Sequence, residues 1–250
     1  MKKTYDLKVT KRTPIITPDQ LREEYPGSDR AIDNVLTSRG EIVDILKGRD
    51  DRLLIITGPC SIISQRQAMR YGELLAGLQE KVKDRIKLVM RVYFEKPRTN
   101  VGFKGLISDP HIDKQSYDMD EGLRQARKIL VDLNEMGIAP GTEILSQTAA
   151  ERLSGLVAWA CIGARTTESQ NHREWASGLS MPVGFKNGTG GSIQLALDAI
   201  GAASQPHNFL SVTKQGVSAI VTTTGNKACH IIHRGGSKAP NYDRESIAET

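Results

Sequence analysis

Arg91, Lys96 and Arg98 place three fixed cations within eight residues, directly after the apolar run Ile86-Lys87-Leu88-Val89-Met90. A continuous apolar run of this length reads as a buried strand. Pro97 ends that strand and leaves the turn free to present its charges outward. Guanidinium forks and ammonium groups crowded at a strand end suit an anion carrying phosphate or carboxylate. The pattern recurs: Gly163-Ala164-Arg165 closes the run 160–164, Lys186 follows 183–185, and Arg234-Gly235-Gly236 follows 230–233. Glycines beside the cations let backbone N–H groups approach an anion closely. One strand-end arginine is ordinarily a surface charge. Four cation-tipped strands out of six predict a shared polyanion pocket, fit for one substrate with phosphate and carboxylate or for two anions side by side.

Other reactive residues are less determinate. Cys60 follows Gly58-Pro59 at the end of the run 53–57. It reads either as a buried small hydrophobe or as a metal ligand or nucleophile whose thiolate a cationic pocket favours. Cys161 lies inside an apolar run and belongs to the core. Glu143 sits on an apolar strand, where an unpaired carboxylate is costly, so it should pair with a pocket cation. The five histidines show no metal-binding spacing.

The elements that must position these residues follow from periodicity. Short buried strands at 53–57, 86–94, 143–145, 160–164, 183–185 and 230–233 alternate with amphipathic helices, which means parallel βα units. The stretches 209–212 and 218–222 read as an inserted hairpin around Gly216. Residues 1–50 form an N-terminal helical extension ahead of a barrel domain at 51–250, with a capping box at Thr17-Pro18-Asp19-Gln20 and a second helix from Ser28. In that helix Ile32, Val35, Leu36, Ile42, Val43 and Leu46 share a face. Next, Ser64 and Gln67 start a helix whose apolar face is Ala68, Tyr71, Leu74, Leu75 and Leu78. In sites of parallel α/β folds, chemistry gathers at the carboxyl ends of strands.

Composition narrows the class. The net charge of +5 is mild and mixed, and aromatics are only 5 %, which argues against a nucleic-acid surface. Three cysteines without CxxC suit a reducing cytoplasm. No run reaches the length of a membrane span. No GxGxxG or Walker A motif is present, so a nucleotide-binding fold has no support.

Several segments together are distinctive: Gly58-Pro59-Cys60-Ser61, the stretch MRVYFEKPRT at 90–99, IGARTTESQ at 162–170, PVGFKNGT at 182–189, and Arg234-Gly235-Gly236. They resemble the feedback-regulated type I 3-deoxy-D-arabino-heptulosonate-7-phosphate (DAHP) synthases, over about residues 15–250. The resemblance implies a (β/α)8 TIM barrel with an N-terminal extension, and an aldol-type condensation of phosphoenolpyruvate with erythrose 4-phosphate, the first step of the shikimate pathway. It implies phosphoenolpyruvate on Arg91, Lys96, Gly163, Ala164, Arg165, Lys186 and Arg234, and erythrose 4-phosphate on Lys96, Pro97, Arg98 and Thr99. Lys96 and Glu143 would be catalytic and Cys60 would ligate a divalent metal such as Mn, Fe or Co. Ser146, Gln147, Ala150, Leu179, Ser180, Phe209, Ser211 and Val221 match a site for an aromatic amino acid inhibitor, with Ser146 standing where the family has Asp. A homo-oligomer, dimer or tetramer, is also implied.

The family's remaining metal ligands, a His, a Glu and an Asp, have no counterpart in this sequence. About the last two βα units are lacking, so the metal site is incomplete and the isolated 250-residue chain is expected to be inactive. The alternative is a non-catalytic relative, a pseudoenzyme or assembly partner, that keeps the anion pocket.

Overall fold

The computed structural model describes residues 4–98, 100, 102–112, 114 and 116–248. Six parallel strands form one sheet in the order β1 (Leu53–Thr57), β2 (Ile86–Arg91), β3 (Ala139–Glu143), β4 (Trp159–Ile162), β5 (Val183–Lys186) and β8 (Cys229–Ile232). β6 (Asn208–Val212) and β7 (Ser218–Thr222) pair antiparallel as a separate hairpin between β5 and β8, with Gly216 at a positive φ in its turn. The sheet with its crossover helices is an α/β array, a partial TIM barrel.

Period-two alternation sorts each strand between two cores. On the helix side lie Leu88 and Met90 of β2, Ala160 and Ile162 of β4, and Val183 and Phe185 of β5, packed with Leu130 and Leu133 from α4 (Met119–Glu135). On the inner side lie Val89, Trp159 and Cys161, together with Tyr93 just beyond β2. The interior leaves room for Trp159 through two glycines. A Cβ on Gly141 would stand 3.0 Å from the indole and 2.7 Å from Val89 Cγ1. Gly184, between β4 and β8, lets Trp159 Nε1 donate across to His230 Nε2 at 3.1 Å.

Residues 16–46 pack on this same unit. α1 (Pro18–Glu24) starts with the expected capping box, and α2 (Asp29–Leu46) starts at Ser28. Ile42 of α2 is fully buried in the inner core, and Glu41 accepts from Lys87 at 2.5 Å and Arg52 at 2.9 Å. The predicted apolar faces are only partly used. In α2 the buried stripe is Ala31, Val35, Ser38 and Ile42, whereas Ile32, Leu36 and Leu46 are exposed. In α3 (Gln65–Val82) Ala68, Gly72 and Leu75 are buried, and Leu74 and Leu78 face outward.

Two strands differ from expectation. β2 ends at Arg91, although Val92 N still donates to Gly141 O of β3 at 2.8 Å. β3 runs Ala139-Pro140-Gly141-Thr142-Glu143 and ends where the sequence places its start. Its neighbours impose this: β3 pairs with β2 from Val89↔Ala139 and with β4 up to Glu143↔Cys161, and Pro140 still supplies its carbonyl to Ala158 N.

Candidate active site

Glu143 therefore sits at the carboxyl end of β3, level with the cation-bearing ends of β2, β4, β5 and β8. These ends surround a cavity of about 320 Å³ whose wall includes Arg91, Lys96, Arg165, Lys186, Arg234 and, as the single carboxylate among the described residues, Glu143. Pro97, Gly163 and Ala164 complete the predicted part of that wall. Separate strand tips thus converge on one space, as their sequence positions imply.

Each cation is held by a local device. Gly58, at φ 154°, brings the chain after β1 against the Arg91 backbone, where any Cβ would meet Arg91 atoms at 2.8–2.9 Å. The Cys60 carbonyl there accepts from Arg91 Nη2 at 3.3 Å and from Lys96 Nζ at 3.1 Å. Arg165 Nη1 donates to Pro97 O at 3.3 Å, joining the β4 and β2 loops. Lys186 Nζ donates to Glu143 Oε1 at 2.9 Å. Asn187, fully buried, accepts from Arg234 N at 2.9 Å and donates to Gly235 O at 2.9 Å, pinning the β8 loop to the β5 loop.

Tyr93 is the residue that sequence reasoning missed. Its ring centroid lies 4.0 Å from Arg91 Cζ, 5.4 Å from Lys96 Nζ and 5.5 Å from Lys186 Nζ. An aromatic face under three cations offsets their mutual repulsion without cancelling their charge. Its hydroxyl meets Cys161 Sγ at 3.0 Å, and burial pushes its pKa well above the ordinary phenol value. The signal was spacing: Tyr93 stands two residues from Arg91, hence on the same face of an extended chain. Glu95 was missed too; burial raises its carboxyl to about 7, against one Ser146 backbone hydrogen bond.

Arg91 Nε is buried and has no hydrogen-bond partner. A buried donor left unmade costs free energy, and the Tyr93 ring face lies against that guanidinium. With five cations and one carboxylate among its described wall residues, the cavity favours negative charge.

Some predicted residues stand apart. Arg98 donates Nε to Phe103 O at 2.6 Å and is not part of the cavity wall. Thr99 lies outside the described residues. Cys60 is exposed, and among the described residues no group of three His, Cys, Asp or Glu side chains is placed to hold a metal. The donor set present does not fit a bound metal ion.

A second cavity, about 390 Å³, is bounded by Gln147, Ala150, Leu179, Ser180, Phe209 and Val221. Six of the eight residues predicted for an inhibitor site therefore come together. Ser146 instead caps α5 (Gln147–Leu153), accepting from Ala149 N at 3.3 Å. Ser211 donates to Glu151 Oε1 at 3.3 Å. Trp175 and Lys214 join this wall unpredicted, and Gln147 Nε2 is buried without a partner.

The parallel sheet with a cation-lined cavity at its carboxyl ends defines an α/β barrel protein with an anion-favouring site. Residues 16–250 match the DAHP synthetase I family, and the chain belongs to that family. It is 53% identical over 244 residues to the Phe-sensitive phospho-2-dehydro-3-deoxyheptonate aldolase of Escherichia coli, covering 98% of this chain and 69% of that one. The Tyr-sensitive protein of Salmonella typhimurium is 49% identical over 244 residues, with coverages of 98% and 68%. The Trp-sensitive protein of Enterobacter agglomerans is 49% identical over 248 residues, with coverages of 99% and 71%. The solved structure of the phospho-2-dehydro-3-deoxyheptonate aldolase of Francisella tularensis superposes with a TM-score of 0.94 at 44% identity, covering 96% of this chain and 70% of that chain.

Proposed function

We propose that this chain binds phosphoenolpyruvate and erythrose 4-phosphate at the strand-tip cavity, as part of a DAHP synthase. The observation that carries the reading is the imbalance of the cavity wall: five cations face one carboxylate, and the Arg91 Nε donor is buried without an acceptor. Arg91, Arg165, Lys186 and Arg234 hold the phosphate and carboxylate of phosphoenolpyruvate. Lys96, beside Pro97, reaches towards the sugar phosphate. Holding two anions in contact is otherwise opposed by their repulsion, and fixed cations remove that barrier before reaction.

In the reaction this assigns, the enol carbon of phosphoenolpyruvate attacks the aldehyde carbon of erythrose 4-phosphate, water adds at the neighbouring carbon, and phosphate leaves. Lys96 supplies the proton taken up by the aldehyde oxygen. Glu143 orients the water and takes its proton. A divalent ion belongs to this chemistry by family, with Cys60 as one ligand, but the described residues do not complete its site and no step here runs through it.

The second cavity is read as a site for an aromatic amino acid. Its apolar wall of Leu179, Phe209, Trp175 and Val221 fits a ring, and the relatives named above are Phe-, Tyr- and Trp-sensitive. Residues 1–50 are read as an extension that also serves self-association, using the exposed Ile32 and Leu36.

Calorimetric titration with phosphoenolpyruvate tests the main reading. The chain is expected to bind it, and Arg165→Ala or Arg234→Ala to weaken binding by about tenfold or more, as loss of a charge-assisted hydrogen bond does. Absence of binding, or indifference to both substitutions, refutes it. The second reading is a relative that binds both anions without turnover. Phosphate release from both substrates with added divalent ion, above the level of an Arg165→Ala control, would exclude that second reading.

A further inference from the structure

A third cavity is larger than either of these two. A cleft of about 490 Å³ lies between α1, α2, α4 and α5, beneath the tip of the hairpin. Its wall carries Arg22, Arg39, Arg127, Arg152 and Lys214 against one carboxylate, Glu151. That carboxylate is already engaged, by Lys214 at 2.5 Å and Ser211 at 3.3 Å.

Three of the guanidiniums are anchored only by backbone carbonyls. Arg39 donates to Val157 O and Ser154 O, at 2.8–3.0 Å. Arg127 donates to Tyr25 O at 2.9 Å and Arg152 O at 3.1 Å. Arg152 donates to Ile16 O at 2.7 Å and Thr148 O at 2.9 Å. Arg127 and Arg152 are 5% and 6% exposed. No carboxylate forms an ion pair with any of the three among the described residues; Asp120 and Glu151 act on Arg152 only through their field. Burial and the neighbouring Arg22 lower the Arg127 pKa to about 10, which marks a site short of negative charge.

Carbonyl anchoring explains why these side chains are ordered. It does not explain the rest of each fork. Nη1 of Arg39, Nη2 of Arg127 and Nη2 of Arg152 make no hydrogen bond among the described residues, and none of them is sealed from solvent. Three unpaired terminal nitrogens on pre-ordered arginines of one cleft form a ready receptor for oxyanions, because little side-chain freedom remains to be lost on binding.

We propose that this cleft is a second anion site, independent of the strand-tip cavity, for a small molecule bearing at least two phosphate or carboxylate groups. The cleft shares Glu151, Ser154, Ser180 and Lys214 with the wall of the 390 Å³ cavity, so its occupant sits next door to that site without entering it.

Inorganic pyrophosphate, titrated into the full 250-residue chain at low ionic strength, is the probe. Two binding events are expected, both weakened by salt. A chain carrying Arg165→Ala and Arg234→Ala should retain one of them. Adding Arg22→Gln and Lys214→Gln, which remove charge at the cleft without touching the carbonyl anchors, should weaken that remaining event by about tenfold or more. In the otherwise unaltered chain, NMR signals of the Arg39, Arg127 and Arg152 side-chain N–H groups should move with the same event. Loss of all pyrophosphate binding in the strand-tip variant overturns the proposal. So does a retained event that ignores Arg22→Gln and Lys214→Gln and leaves the three arginine signals still.

Discussion

Gly163 offers a test of how tightly the strand-tip cavity is assembled. It follows β4, and a Cβ built on it would stand 2.7 Å from Glu143 Oε1, the atom that accepts from Lys186. Ordinary contact begins at 3.4 Å, so Gly163→Ala must displace the carboxylate by about 0.7 Å. Glu143 is 8% exposed and held by Lys186 Nζ at 2.9 Å, so moving its carboxylate strains or breaks that bond. Overpacking of this kind costs about 1–3 kcal/mol, and a strained or broken Lys186–Glu143 bond is a charged one, of about 1.5–3 kcal/mol. Since one displacement produces both effects, we expect about 2–3 kcal/mol in total. Gly163 has an ordinary φ and its next neighbour, Thr166 Oγ1, is 3.6 Å away. With Glu143 truncated, the same change should therefore be neutral or stabilise by about 0.4–1 kcal/mol, through loss of unfolded-state freedom. Urea unfolding of the four chains of the Gly163→Ala and Glu143→Ala cycle measures this. Equal cost of Gly163→Ala in both backgrounds would refute the steric argument and with it the fixed position of Glu143.

Two further predictions concern pH. His230 is held neutral by burial, with its pKa lowered to about 4 from 6.5, and it accepts from the donor-only Trp159 Nε1. Its contribution is intact above pH 6.5 and is lost as pH falls towards about 4, so the stability advantage of the wild-type chain over His230→Gln should shrink across that window in paired denaturant titrations at pH 7.5 and 4.5. Glu95 has the opposite sign: burial raises its carboxyl from 4.5 to about 7, so its ionisation weakens the fold as pH rises through that interval. Glu95→Gln should stabilise the chain at pH 8 by about 2–3 kcal/mol and by almost nothing at pH 4, and an equal effect at both would contradict the burial argument.

What the sequence discloses and what it hides divide along physical lines. Apolar runs ending in Arg91, Arg165, Lys186 and Arg234 were readable because parallel sheets bring all carboxyl ends together. A residue's place after its own strand then suffices to put it in the cavity. The Thr17 capping box and the Gly216 hairpin were legible because the interactions that fix them are local. β3 was not, since Ala139-Pro140-Gly141 has loop composition and becomes a strand only between β2 and β4. Nor was the exposure of Leu74 and Leu78, which helical spacing alone assigns to the packed face. Arg98 and Tyr93 were exchanged for the same reason. Both lie within the one cationic stretch; Tyr93 continues the alternation of Arg91 into the wall, whereas Arg98 is held by Phe103 O.

The same alternation explains how the cavity tolerates its charge. Extended chain through Tyr93 keeps the ring on the inner face with Arg91, so β2 delivers a cation and the aromatic surface that shields it in one alternation. Glu143 alone answers the remaining charge, through Lys186. If it neutralised the pocket, anions would gain little there. As one carboxylate against five cations it orders Lys186 while leaving a large positive excess for ligands. The cleft of Arg39, Arg127 and Arg152 reaches the same end differently, ordering its guanidiniums with neutral carbonyls. In both places the fold spends backbone acceptors or a minority of acid on positioning, and keeps the cations' charge available to what binds.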